Sequence, residues 1–110
     1  MDRFDLIVIG GGPGGYLAAE RAAGGGLKTA VFEKANLGGV CLNEGCIPTK
    51  TLLNCAKLYR HATESESFGV TAENVTFDHA KVIERKKKVV KTLVGGVGAT
   101  MKACGVTVVR

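Results

Sequence analysis

Residues 6–23 read LIVIGGGPGGYLAAERAA, and whether this stretch is a strand, a turn and a helix decides the fold. The run FDLIVI, residues 4–9, is apolar, rich in Ile and Val and closed by glycines, as expected of a strand buried on both faces in a parallel sheet. After the glycines, Ala18, Ala19, Ala22 and Ala23 fall on one helical face, small enough for that helix to lie close against a sheet. Gly24 to Gly26 can supply a left-handed cap, and LKTAVFE, ending at Glu33, reads as a second strand. Together they predict a β-α-β unit and an α/β fold with parallel strands and packed helices.

Between strand and helix lies Gly10-x-Gly12-x-x-Gly15, with Pro13 and Gly14 inside it. In this context the first glycine allows a tight turn, the second lets backbone approach a pyrophosphate, and the third lets helix and strand pack closely. The helix start adds free N–H groups and a partial positive charge. Glu33, 18 residues beyond Gly15, sits where a carboxylate accepts hydrogen bonds from ribose hydroxyls and repels a 2′-phosphate. A glycine turn that binds nothing, beside a surface carboxylate, is the competing reading. The pattern itself does not separate NAD from FAD, since both carry an ADP half.

A length of 110 residues suffices for one small core. The net charge of +5 comes from one segment, where Lys81, Arg85, Lys86, Lys87, Lys88 and Lys91 face only Glu84. These charges lie on a helical pattern without interleaved aromatics, so they read as a solvated face rather than a nucleic-acid surface. The start MDRFD lacks the order of a signal peptide, and the longest uncharged run has 14 residues, LIVIGGGPGGYLAA, against about 20 for a membrane span. The expected location is the cytoplasm, with no membrane partner.

Further along, residues 36–47 read as a Gly-rich loop. A helix is predicted from about Pro48 to His61, with Leu52, Ala56 and Tyr59 on its apolar stripe. Residues 62–77 look irregular and exposed. Asp78 is a candidate N-cap for a helix with the stripe Ile83, Val90, Val94, Val97 and Met101, interrupted by Gly95, Gly96 and Gly98, each costing about 1 kcal/mol relative to Ala. VTVV, residues 106–109, reads as a third strand.

The stretch GGVCLNEGCIPTK, residues 38–50, places Cys41 and Cys46 five apart. In a regular helix their Cα atoms would lie about 8.6 Å from each other, beyond the roughly 6.8 Å a disulfide tolerates. The chain must bend between them if the sulfurs are to meet, and Gly45 and Pro48 provide the means. Two core cysteines, half of a metal site and a redox pair all compete here. In a reducing compartment structural disulfides are rare, so a close pair reads as catalytic, redox-sensing or metal-binding, and a thiol near a helix N-terminus is expected to have a lowered pKa. A metal finds little support, because Cys55, Cys104, His61 and His79 fit no common ligand spacing.

GGGPGGYLAAERAA followed by GGVCLNEGCIPTKTLL resembles the N-terminal part of the FAD-dependent pyridine nucleotide-disulfide oxidoreductases over essentially the whole chain. Ile47-Pro48-Thr49-Lys50 with Leu42, Leu52 and Leu53 is similar to the branch that oxidises dihydrolipoamide rather than to glutathione or mercuric reductases. The resemblance implies a partial Rossmann-like FAD-binding domain over residues 1–110, without NAD-binding and dimerisation domains. It implies that Gly10, Gly12, Pro13, Gly14, Gly15, Glu33 and Lys34 bind the ADP half of FAD. Gly38, Gly39, Val40, Cys41 and Lys50 would follow the cofactor toward its ring. Cys46 would be the sulfur beside the flavin and Cys41 the one exchanging with substrate dithiol, electrons passing from dihydrolipoamide through a Cys41–Cys46 disulfide and FAD to NAD⁺. Implied partners are a lipoyl domain of a 2-oxoacid dehydrogenase or glycine cleavage complex and, in a complete enzyme, a second subunit. The general base of such enzymes lies outside this sequence, so neither His61 nor His79 is given that role. The alternatives are a nucleotide-binding thiol module without catalysis and a related enzyme of the glutathione or mercuric reductase type.

Overall fold

The structure, a computed structural model, describes all 110 residues. Strand β1 (Leu6–Ile9) leads into helix α1 (Pro13–Gly24) and strand β2 (Thr29–Phe32), the predicted β-α-β unit. A short helix α2 (Gly39–Asn43) and a long α3 (Cys46–Thr63) follow, then a 3₁₀ turn (Ser65–Phe68), helix α4 (His79–Ala103) and strand β3 (Thr107–Val109). The sheet is parallel throughout in the order β1-β2-β3, with Val8, Val31 and Val108 in register.

Both crossovers step in the same direction across the sheet, so the right-handed rule puts α1 and α4 on one face. The core forms there, from Ala19, Val31, Leu37, Met101 and Val106, flanked by Val8, Tyr16, Val97 and Val108. Ala19 is fully buried, as the small-residue face of α1 requires. The opposite face is bare: Ile7 is 53% and Ile9 89% exposed. This corrects the expectation that β1 is buried on both sides. Its apolar sequence is continuous, but it lies at the sheet edge with helices on one face only, while the central β2 buries Thr29, Ala30 and Val31.

The other helices form an arm. The molecule measures 66 × 25 × 18 Å, and its radius of gyration of 19.6 Å exceeds the roughly 13 Å of a compact chain this long. Helix α4 starts where predicted, with Asp78 accepting a hydrogen bond from the Lys81 N–H at 3.1 Å. It continues unbroken through Gly95, Gly96 and Gly98. Of its apolar stripe, Met101 is buried in the core, whereas Ile83, Val90, Val94 and Val97 are half-buried. On α3, Leu52 is half-buried but Ala56 and Tyr59 are exposed, so the predicted stripe does not form a core. Tyr59 instead meets Phe77 edge to face, ring centroids 6.3 Å apart. Residues 62–77 are mostly exposed and irregular apart from the 3₁₀ turn. The left-handed residue after α1 is Gly26, at φ +90°. No helix is long and apolar enough to cross a membrane.

Candidate functional site

The site is built from the C-terminal ends of β1 and β2 and the turns that leave them. The Gly10 N–H donates to the Phe32 carbonyl at 2.8 Å, extending the ladder one residue past β1 before the chain turns. Pro13 occupies the first turn of α1, where its missing N–H costs nothing, and Gly12 provides no side-chain cap. The first N–H groups of α1 therefore face outward without a protein acceptor from the cap. Gly15 has no room for a side chain, because a Cβ there would run into the backbone carbonyl oxygen of Gly10. Gly14 is open, with nothing within 4 Å of a Cβ position.

Glu33 follows β2 and its carboxylate is already engaged. One oxygen accepts the Gly11 N–H at 2.7 Å and the other the Ala35 N–H at 2.8 Å. These two bonds, that of Ala35 the larger in effect, hold its pKa below the usual carboxylate value. Glu33 also lines a cavity of about 500 Å³ with Ile9, Gly10, Phe32, Lys34, Val109 and Arg110, at the end of the sheet where α/β folds bind nucleotides.

A second glycine turn faces the first. Gly38 and Gly39 have φ of +97° and +60°, a region that costs a residue with a Cβ about 1–2 kcal/mol. The Gly38 N–H donates to the Gly11 carbonyl at 2.8 Å, and a Cβ on Gly39 would lie 2.7 Å from the Gly12 Cα. Two backbones from distant parts of the chain thus meet without side chains between them.

Residues 36–47 are not one loop, as expected from their glycines, but contain α2 and the start of α3. The Asn43 side chain donates to the carbonyls of Leu37 and Gly39, at 3.1 and 2.9 Å, and so folds the turn back onto α2. Leu42 is buried beneath it. Helix α2 ends at Glu44 and Gly45, and α3 begins at Cys46, two residues before the predicted start. A helix can start ahead of Pro48 because its first N–H groups need no helical acceptor.

The break at Glu44 and Gly45 is the anticipated bend, and it brings the two cysteines together as thiols. Cys41 is half-buried and Cys46 exposed. The Cys46 side chain beside Cys41, with burial, pushes the Cys41 pKa up, while the Lys50 ammonium pulls it down. The expectation of a lowered pKa is therefore corrected for Cys41. Helix α2 has only five residues, and beside Cys41 the Cys46 side chain and burial outweigh the Lys50 charge.

Residues 4–108 match the sequence pattern of the family described as pyridine nucleotide-disulphide oxidoreductase. The chain belongs to that family. Among curated relatives, a dihydrolipoyl dehydrogenase of Bacillus subtilis (strain 168) is 56% identical over 106 residues, covering 96% of this chain and 23% of its own length. One from Geobacillus stearothermophilus is 53% identical with the same coverage. A solved structure titled Cu(II) complex of HOCl-induced flavoprotein disulfide reductase RclA from Escherichia coli superposes with a TM-score of 0.78. It is 28% identical, over 99% of this chain and 22% of that one. The chain spans about a quarter of the length of the curated relatives it matches.

In this member of the pyridine nucleotide-disulphide oxidoreductases the remaining sequence-predicted residues fall as follows. Lys34 is exposed on the rim of the cavity, Val40 is 70% exposed on α2, and Lys50 is exposed on α3 within Coulombic reach of Cys41. No group of three or more His, Cys, Asp and Glu side chains converges on a point, and His61 and His79 lie on the arm. Sequence reasoning missed Asn43 and the Gly11 peptide. Glycine spacing gives no hint of either, although an Asn four residues after a Gly-Gly turn is within reach of the turn's carbonyls when the intervening residues are helical.

Proposed function

We propose that residues 1–110 form the N-terminal part of an FAD-binding domain of a flavin-dependent disulfide oxidoreductase that oxidises dihydrolipoamide. The observation that carries this reading is the cradle in which Gly12 and Gly39 touch backbone to backbone, with Glu33 at one end and the paired thiols at the other. A dinucleotide fits it: the pyrophosphate needs close backbone and outward N–H groups, which Gly10, Gly12, Pro13, Gly14, Gly15 and the start of α1 provide. Glu33 and Lys34 hold the adenosine end, and Gly38, Gly39, Val40, Cys41, Cys46 and Lys50 lie toward the ring end. When bound, FAD supplies a two-electron acceptor that passes a hydride equivalent on to NAD⁺.

The thiol chemistry belongs to the chain. With Cys41 and Cys46 joined as a disulfide, one thiolate of dihydrolipoamide attacks the Cys41 sulfur, breaking the Cys41–Cys46 bond and leaving Cys46 as thiolate. The second substrate sulfur then attacks the first, closing the lipoamide ring and releasing Cys41. Two electrons now belong to the Cys41–Cys46 pair, held as the Cys41 thiol and the Cys46 thiolate, with one substrate proton on Cys41 and the other released to solvent. Lys50 stabilises negative charge on the pair. The lipoyl group would arrive on a lipoyl domain of a 2-oxoacid dehydrogenase or glycine cleavage complex, and the complete enzyme would be a homodimer in the cytoplasm.

The test is the visible spectrum of the purified chain with FAD, before and after one equivalent of dihydrolipoamide. A bound-flavin spectrum that gains a long-wavelength thiolate-to-flavin band is the expected result. Bound flavin without that band would instead make the chain a nucleotide-binding thiol module.

A further inference from the structure

We propose that Glu33 is a positioning residue for Cys41, acting through the Gly11 peptide and the turn at Gly38. The relay can be followed atom by atom. The Glu33 carboxylate accepts the Gly11 N–H at 2.7 Å, and the carbonyl of the same glycine accepts the Gly38 N–H at 2.8 Å. Gly38 in turn accepts the Leu42 N–H at 3.3 Å, inside α2 and next to Cys41. The turn is held on both sides. Asn43 ties Leu37 and Gly39 to α2, a Cβ on Gly38 would lie 2.7 Å from the Leu42 Cβ, and Gly39 rests on Gly12.

A shift of the Gly11 backbone is therefore passed through its carbonyl to Gly38, and α2 moves with it. The carboxylate that faces the ribose end of the cleft holds in place the helix that carries a thiol at the other end. Ligand hydroxyls reaching Glu33 would have to share its two oxygens with Gly11 and Ala35, so occupancy at one end is felt at Cys41. The proposal rests on Cys41 as the exchanging thiol, but the placement it describes exists without flavin.

The experiment uses the reduced chain with no flavin present. Iodoacetamide alkylation is followed by mass spectrometry at each cysteine, and amide exchange by NMR at Gly38 and Leu42, in the unaltered protein, Glu33→Gln and Asp5→Asn. Asp5 is the matched control, since its carboxylate also accepts a backbone N–H, that of Lys28 at 2.8 Å, at the opposite end of the sheet. In Glu33→Gln, Cys41 alkylation should rise and protection at Gly38 and Leu42 should fall, each by about tenfold, the weight of one hydrogen bond to a charged group. Cys55 should be unchanged, and Asp5→Asn should leave all these values as they were. Shifted Gly11 and Ala35 amides with Cys41, Gly38 and Leu42 within about twofold of the unaltered protein would overturn the proposal.

If Cys55 and Cys104 become as reactive as in urea, the variant has unfolded and the unaltered protein is titrated instead. Its Gly38 and Leu42 amides should follow the titration of the Glu33 carboxyl. That group is faced by Lys34, by Arg110 across the cavity and by Glu44 in the adjoining one. A flat response while Glu33 titrates would also overturn it. Because flavin is absent throughout, failure here and failure of the flavin spectrum are separate outcomes.

Discussion

The two glycine turns of this molecule use the same residue for opposite reasons. At Gly15 the constraint is local: a side chain would strike Gly10, five residues away, inside one strand-turn-helix unit. At Gly39 it is both local and distant, since φ is +60° and a Cβ would press on Gly12, on the far side of an intervening helix and strand. The first turn shapes its own backbone, whereas the second exists to meet the first. A glycine count treats them alike, and only the partner of each missing Cβ tells them apart.

Replacing Gly15 by Ala should have the largest effect, because a backbone carbonyl cannot move aside as a flexible side chain can. We expect a loss of about 3 kcal/mol or more, read as a collapsed urea midpoint or an unfolded circular dichroism spectrum. Gly39→Ala should cost about 2 kcal/mol, combining left-handed strain with the Gly12 contact. Unlike Gly15→Ala it should leave the sheet and α1 protected in amide exchange, the loss being confined to residues 37–43. Equal, global loss in the two variants would erase the distinction between the turns.

A third glycine sharpens it from the other side. Gly96 lies in α4 with helical backbone and nothing within 4 Å of a Cβ. Gly96→Ala should therefore raise the urea midpoint, by about 0.5–1 kcal/mol in stability. Destabilisation would mean that this part of the arm packs against something.

The smallest effect should come from acid. The Glu33 pKa is held below its ordinary value by the Ala35 and Gly11 N–H groups, so its contribution to stability is complete above about pH 4.5 and disappears as pH falls through the lowered value. The urea midpoint of the unaltered protein should approach that of Glu33→Gln at the acid end, and the gap between them should open as pH rises. Solvent screens the group, which keeps the gap modest. A gap independent of pH would show that charge on Glu33 does not brace the first turn.

The β-α-β unit, the N-cap at Asp78 and the third strand were legible because each rests on short-range chemistry: a β-branched apolar run closed by glycines, a capping oxygen, a small-residue face. The bend between Cys41 and Cys46 was legible for the same reason, as five residues with a glycine must leave the helix for two sulfurs to meet. The buried extent of β1 and of the α3 stripe was not. Apolar sequence states what a segment can bury, but the edge position of β1 and the extension of the arm decide what it does bury.

The sequence by itself determined the parallel α/β fold, the first glycine turn, the acid at Glu33 and the cysteine pair, since all follow from residue type and spacing within about 30 positions. Packing alone sets that Glu33 grips Gly11, that Gly11 holds Gly38 and that Gly39 meets Gly12. Those links join elements brought together by packing across β2, and contacts of that kind leave no period or motif in a chain.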